Sequence, residues 1–152
     1  MKRFIILFTL LALSLSACGQ GPTATATVIA AAPTLADDAL PVIAVDAEHM
    51  ITPNLSYEIP AGPGFVLDAS AYMFGTVSGP TLVQVILEGR VYQGNWTAAD
   101  NIQVVRAENL LPPPGFKPLT EFPSGKLLIV AIGKLSDAGR FEHMWLASVN
   151  VY

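Results

Sequence analysis

From about Leu40 to Tyr152 the chain is cut into short apolar runs by Gly, Pro, Asn and Asp, and that punctuation leaves little but β structure open to it. The runs are rich in Val, Ile, Leu and Tyr, and each is bounded by turn residues, the pattern of a strand rather than of a core helix. Residues 41–45 make a short first strand, and 65–77 (FVLDASAYMFGTV) a longer one with Gly75 as a bulge or bend. Ser78-Gly79-Pro80 reads as a turn before the strand 81–92 (TLVQVILEGRVY). There Leu82, Gln84, Ile86 and Glu88 alternate sides with Val83, Val85, Leu87 and Gly89. Residues 101–107 form a shorter strand, and 127–135 with 143–152 a closing hairpin around Ser136-Asp137-Ala138-Gly139. In the last strand Trp145, Ala147, Val149 and Val151 share one face, which is apolar enough to be buried.

Helical readings fail. Residues 97–105 lack a sustained 3.6-residue stripe, and 107–118 is broken by Pro112-Pro113-Pro114. The proline run, extended by Gly115 and Pro118, reads as a long rigid loop. Six or seven strands at this spacing imply an all-β chain, an antiparallel β-sandwich of immunoglobulin-like form. A small five-stranded barrel of the OB type is the alternative.

The first residues belong to a different kind of segment. Lys2 and Arg3 precede residues 4–13 (FIILFTLLAL), an apolar stretch interrupted only by Thr9 and too short to span a bilayer, which takes about 20 such residues. Small residues follow and end at Leu15-Ser16-Ala17-Cys18, which resembles the lipobox of bacterial lipoprotein precursors. The resemblance implies cleavage before Cys18 and a diacylglyceryl group on its thiol. Cys18 is the only cysteine in the chain, so no intramolecular disulfide competes for it. One acyl chain binds a membrane reversibly and stable anchoring takes two signals, which a diacylated cysteine supplies. Gly19 stands where an Asp would retain Gram-negative members of the family in the inner membrane, so the expected address is an outer membrane where the source has one.

Three segments follow from this: a signal peptide over 1–17, a lipidated tether over 18–39, and one β domain over 40–152. The tether (residues 20–39, QGPTATATVIAAAPTLADDA) is rich in Thr, Ala and Pro and has neither strand alternation nor a helical stripe. Removing residues 1–17 takes two basic residues and no acid, leaving six basic against twelve acidic residues. That balance argues against a nucleic-acid partner, which needs a clustered basic face. It argues equally against electrostatic adhesion to anionic lipid, so the membrane contact rests on the lipid at Cys18.

Catalytic patterns are sparse. No Ser lies in a G-x-S-x-G setting, no Gly-rich loop opens a helix, and the carboxylates are scattered singly. Both histidines precede a Met, as Glu48-His49-Met50 and Glu142-His143-Met144, and Met73 falls in the expected central strand. Imidazole with thioether sulfur suits Cu(I), so His49, His143 and Met73 are the candidate ligands of an extracytoplasmic copper site. Against that, neighbours in a strand point to opposite faces, and Met is ordinary core filling. Asn95-Trp96-Thr97 matches an N-glycosylation pattern that carries no weight in a bacterial lipoprotein.

Aromatic residues near loops offer another route to function. Tyr92 and Trp96 at the end of a strand, and Phe116 and Phe122 flanking the proline loop, are candidates for binding a protein or glycan partner. The expected role is a non-enzymatic binding module of the cell envelope. A copper-binding domain is the second reading and a small hydrolase the third.

Overall fold

The computed structural model describes residues 39–152, apart from Ile51, Pro53, Thr76, Val77 and Ala99. The signal segment 1–17, Cys18 and the tether up to residue 38 lie outside the described residues. Eight strands run in chain order among the described residues: β1 (Val42–Ala44), β2 (Tyr57–Ile59), β3 (Gly64–Asp68), β4 (Leu82–Leu87), β5 (Arg90–Asn95), β6 (Ile102–Arg106), β7 (Lys126–Leu135) and β8 (Phe141–Val151). They form a three-stranded sheet in the order β1-β3-β6 and a five-stranded sheet in the order β2-β8-β7-β4-β5.

The two sheets face each other as a β-sandwich, and period-two alternation decides what lies between them. Ile43, Phe65, Leu67 and Val105 line the core from the smaller sheet, and Val85, Leu128, Val130 and Trp145 from the larger. Trp145, Phe65 and Phe122 are the largest fully buried side chains. Burial of each such side chain contributes about 1.5–3 kcal/mol. Trp145, Ala147, Val149 and Val151 do share the buried face of the last strand.

Two edge strands depart from antiparallel order. β1 runs parallel to β3, and β2 runs parallel to β8; the other pairings are antiparallel. Parallel neighbours need a crossover connection, and the chain provides it by alternating sheets from β1 to β2 to β3. β2 has only three residues and lies among Pro and Gly, so its sequence carries no strand alternation to read.

The expected strand over 65–77 ends at Asp68. Asp68 Oδ1 accepts hydrogen bonds from the Ser70 N–H at 3.0 Å and the Ser70 hydroxyl at 2.6 Å, a side-chain turn that draws the chain out of the sheet. Met73 therefore lies in the loop after β3, not in a central strand. The expected strand over 81–92 is a hairpin, β4 and β5 turning at Glu88 and Gly89. Both turn residues have positive φ, 52° and 75°, the requirement of a two-residue type I′ turn.

Where β7 faces β8, the register slips at Ile132/Gly133, which pair with Trp145 and His143 and leave Met144 unmatched. Gly133 is needed there: a Cβ would strike the Glu142 carbonyl oxygen and come within 2.8 Å of Phe141 Cζ. The Phe141 ring fills the space that a side chain at 133 would take.

Candidate functional site

Register places the loops. β1 and β3 run together, so Asp68, at the C-terminal end of β3, lies at the opposite end of the sandwich from the point where residue 41 enters β1. At that far end the turn at Asp68–Ser70 continues into a tighter one, with the Tyr72 N–H bonded to the Ala69 carbonyl at 3.1 Å and the Ala69 N–H to the Asn101 carbonyl at 2.9 Å. The turn sends alternate side chains to opposite sides. Tyr72 and Phe74 fold down against the core, and Met73 between them stands 90% exposed.

The aromatic rings beneath Met73 form a ladder. Tyr72 and Phe74 meet edge to face with centroids 5.2 Å apart, and Phe74 meets Trp96 in the same way at 5.9 Å. Offset and edge-on arrangements of this kind add about 0.5–1.5 kcal/mol per pair beyond simple burial. Trp96 is held by its backbone N–H, which donates to the Thr81 carbonyl at 2.8 Å, and is partly buried. The Tyr72 hydroxyl reaches the Met50 sulfur at 3.8 Å, so a second methionine, 36% exposed, borders the same patch. The site is thus an apolar tip of methionines on a packed aromatic base.

Of the aromatic candidates read from sequence, Trp96 is the one built into this tip. Tyr92 is a core side chain and so is Phe122, whose ring lies 5.3 Å from that of Phe65; neither offers surface to a partner. Phe122 is drawn in because its backbone bonds Gly62 in both directions, at 2.8 and 3.2 Å. Phe116 is half exposed at the other end, where the Arg90 guanidinium lies 4.6 Å from its ring centroid. Tyr72 and Phe74 were hidden within the expected strand; the Asp-Ala-Ser sequence at 68–70 was the available turn signal.

The candidate copper ligands sit on three different elements, after β1, in the loop after β3 and on β8. His49 is bound to Asp46: its backbone N–H donates to Oδ1 at 2.8 Å, and its Nδ1 lies 3.0 Å from Oδ2. Its ring stacks on Tyr57 with centroids 4.0 Å apart. His143 is exposed on β8 opposite Gly133, and Met73 is in the solvent-facing tip. Among the described residues no three His, Cys, Asp or Glu side chains are placed to hold a metal ion.

The Asp46 cluster serves as a clasp instead. The Tyr57 hydroxyl donates to the Ala44 carbonyl, and the Trp145 indole N–H donates to the Asp46 carbonyl at 2.7 Å. Burial, reinforced by the neighbouring Asp46 carboxylate, pushes the Tyr57 hydroxyl well above its ordinary pKa. For Asp46, burial alone would raise the pKa; the hydrogen bonds from the His49 N–H and ring, with the nearby Tyr57 hydroxyl, outweigh it and hold the carboxyl below its usual value.

Two open grooves accompany the tip. One, of about 240 Å³, runs between β5 and β6 over Val83, Gly94 and Leu110. The other, of about 370 Å³, lies on the outer face of the larger sheet between Leu55, Leu127 and Asn150. Arg106 is the one ionisable side chain lining either groove among the described residues.

No family model matches the chain, and neither a curated protein nor a solved structure does.

Proposed function

We propose that the chain is a lipoprotein of the cell envelope, anchored on the extracytoplasmic side of a membrane through acylated Cys18, whose β-sandwich is a non-enzymatic binding module. The observation that carries the module is Met73, 90% exposed on the Tyr72–Phe74–Trp96 base, at the end of the sandwich away from residue 41. Large exposed apolar side chains on a rigid support mark interaction sites rather than solubility features. Methionine adapts to the contour of an apolar partner, while the ladder below limits the entropy lost on binding. A protein surface fits this tip better than a glycan, because the aromatic faces are packed against one another instead of lying open for a sugar ring.

Two measurements test the two halves separately. A photo-crosslinking residue at position 73 of the full chain, activated in the native membrane, should yield a defined protein adduct, while the same residue at Lys117 near the other end should not. Equal labelling at both positions would remove the tip as a binding site. For the anchor, intact-mass analysis of the membrane-extracted protein should show a chain beginning at Cys18 with added acyl mass. A chain that begins elsewhere, or an unmodified Cys18, would overturn it.

A further inference from the structure

The two sheets end differently on the side where β5 and β6 lie. β5 is closed by Leu111, whose N–H and C=O both bond Gln93, at 2.8 and 3.0 Å. Among the described residues β6 has no strand beyond it; the segment after β5 reaches it at one point, where the Thr97 N–H donates to the Gln103 side-chain oxygen at 2.7 Å. The register decides which of its backbone groups are left. The Ala107 N–H bonds the Pro63 carbonyl and the Ala69 N–H bonds the Asn101 carbonyl, so odd-numbered residues of this stretch turn their backbone toward β3. Ile102, Val104 and Arg106 therefore turn N–H and C=O outward. The same parity holds on the other side of β3, where Val66 N–H bonds Pro41 and Asp68 C=O accepts from Val45. Among the described residues the outward groups of β6 meet one partner, the Gln103 side-chain amide, 2.8 Å from the Val104 carbonyl. That carbonyl keeps a second lone pair.

The side chains add to the exposure. Ile102 and Val104 are 46% and 49% exposed on the outer face of the smaller sheet. Val104 belongs to a cross-strand row, Val42–Val66–Val104, that runs the width of that sheet. Natural edge strands are blunted by brevity, charge, proline or a covering segment. β6 has only Arg106 and the Gln103 amide, whereas β1 and β2 at the other side have three residues each.

We propose that β6 docks a second copy of this chain, the two β6 strands pairing antiparallel about a twofold axis at Val104 to join the small sheets into one six-stranded sheet. The edge is its own complement. With Val104 facing Val104, Ile102 faces Arg106 of the second copy, and every outward N–H meets an outward C=O. The valine row continues unbroken across the junction. The charges match as well: Arg106 stands over Ile102 of the second copy, beside Asp68, whose Oδ1 holds Ser70 and whose Oδ2 makes no bond among the described residues. An unrelated extended peptide would satisfy the backbone but would have no reason to bring an acid to Arg106. The surface is distinct from the Met73 tip, and either can fail without the other.

The test uses the full chain in its native membrane with Val104→Cys, compared with Val42→Cys on the opposite edge and with the wild type, which controls for Cys18. A facing hydrogen-bonded pair sets Cα atoms about 5.5 Å apart, within disulfide range. Mild oxidation should convert most of V104C, and neither control, to a covalent dimer. Val104→Pro keeps every bond to β3, since its N–H is not used there, and should shift the detergent-extracted protein from a two-chain to a one-chain species in sedimentation. A V104C chain that stays monomeric while retaining the strand circular dichroism of the wild type would overturn the proposal. So would a covalent adduct to a different protein, or a wild type that sediments as one chain.

Discussion

The indole N–H of Trp145 donates to the backbone carbonyl of Asp46 at 2.7 Å, joining positions 99 residues apart. Trp145 is fully buried in β8, and Asp46 follows β1 in the opposite sheet, so the bond ties the two layers together beside the chain crossing from β1 to β2. His49 and Tyr57 complete the fastening through the Asp46 carboxylate and the Ala44 carbonyl. A single polar atom on a large apolar side chain thus places the crossover.

Trp145→Phe keeps most of the apolar volume but leaves the Asp46 carbonyl without its donor. Stability should fall by about 0.5–1.5 kcal/mol, the net contribution of one hydrogen bond. Trp145→Ala, which also opens a cavity, should cost about 3–5 kcal/mol. Urea denaturation measures both, and a Phe variant within 0.5 kcal/mol of wild type, about the scatter of surface changes, would show that the bond does not hold the crossover.

Stability should decline at both ends of the pH scale, with different residues responsible. Asp46 titrates below its ordinary value in the fold, so its contribution is present above the unfolded value of about 3.9 and is lost as pH falls through the lower folded value. Tyr57 titrates above its ordinary value, so its contribution is complete below about pH 10 and is lost as pH rises toward the folded value. Urea midpoints across pH should show Asp46→Asn flattening the acid limb and Tyr57→Phe flattening the alkaline one. Unchanged limbs in both variants would remove the cluster as the cause.

Glycine substitutions should split by position. Gly133→Ala places a methyl group against the Glu142 carbonyl and the Phe141 ring, and should destabilise by about 1–3 kcal/mol or more. Gly62→Ala meets nothing within 4 Å, and its φ lies outside the left-handed region. It should raise stability by about 0.4–1 kcal/mol through the unfolded chain. Thermal or urea unfolding that ranks the two the other way would contradict the bulge geometry.

Function and stability should separate at the tip. Met73→Asp changes an exposed side chain and should leave stability within about 0.5 kcal/mol, yet abolish the partner adduct when the crosslinker is moved to the neighbouring Ala71. Trp96→Ala removes the end of the ladder and should lower both. A Met73→Asp protein that still forms the adduct at full yield would place the contact elsewhere.

Some of this architecture is legible along the chain. Val83, Val85 and Leu87 alternate in sequence and lie buried on one face of β4, and the Ser136–Gly139 turn joins β7 to β8 where its residues suggest. The turn at Glu88-Gly89 was also there to be read, as an acidic residue followed by glycine between apolar runs, but uninterrupted alternation on both sides concealed it. At 65–77 the apolar content hid the Asp68 turn, and with it Tyr72 and Phe74. For Tyr92 and Phe122, closeness to a loop suggested exposure that the fold denies.

By itself the sequence determined the class of fold and the faces of the long strands, because a period of two commits each side chain to one side of a sheet wherever the strand lies. It also set apart the segment that ends at Cys18, whose order of basic, apolar and small residues is local. Only the tertiary structure decided that Tyr57–Ile59 is a strand at all, since it exists by pairing with Tyr57 against Val149 and Ile59 against Val151. The parallel direction of β1, the burial of Phe122 against Phe65, and the packing of Phe74 on Trp96 have the same origin. Each depends on groups that are distant in the chain and close in the fold, and the energy of such contacts is not written in any local pattern.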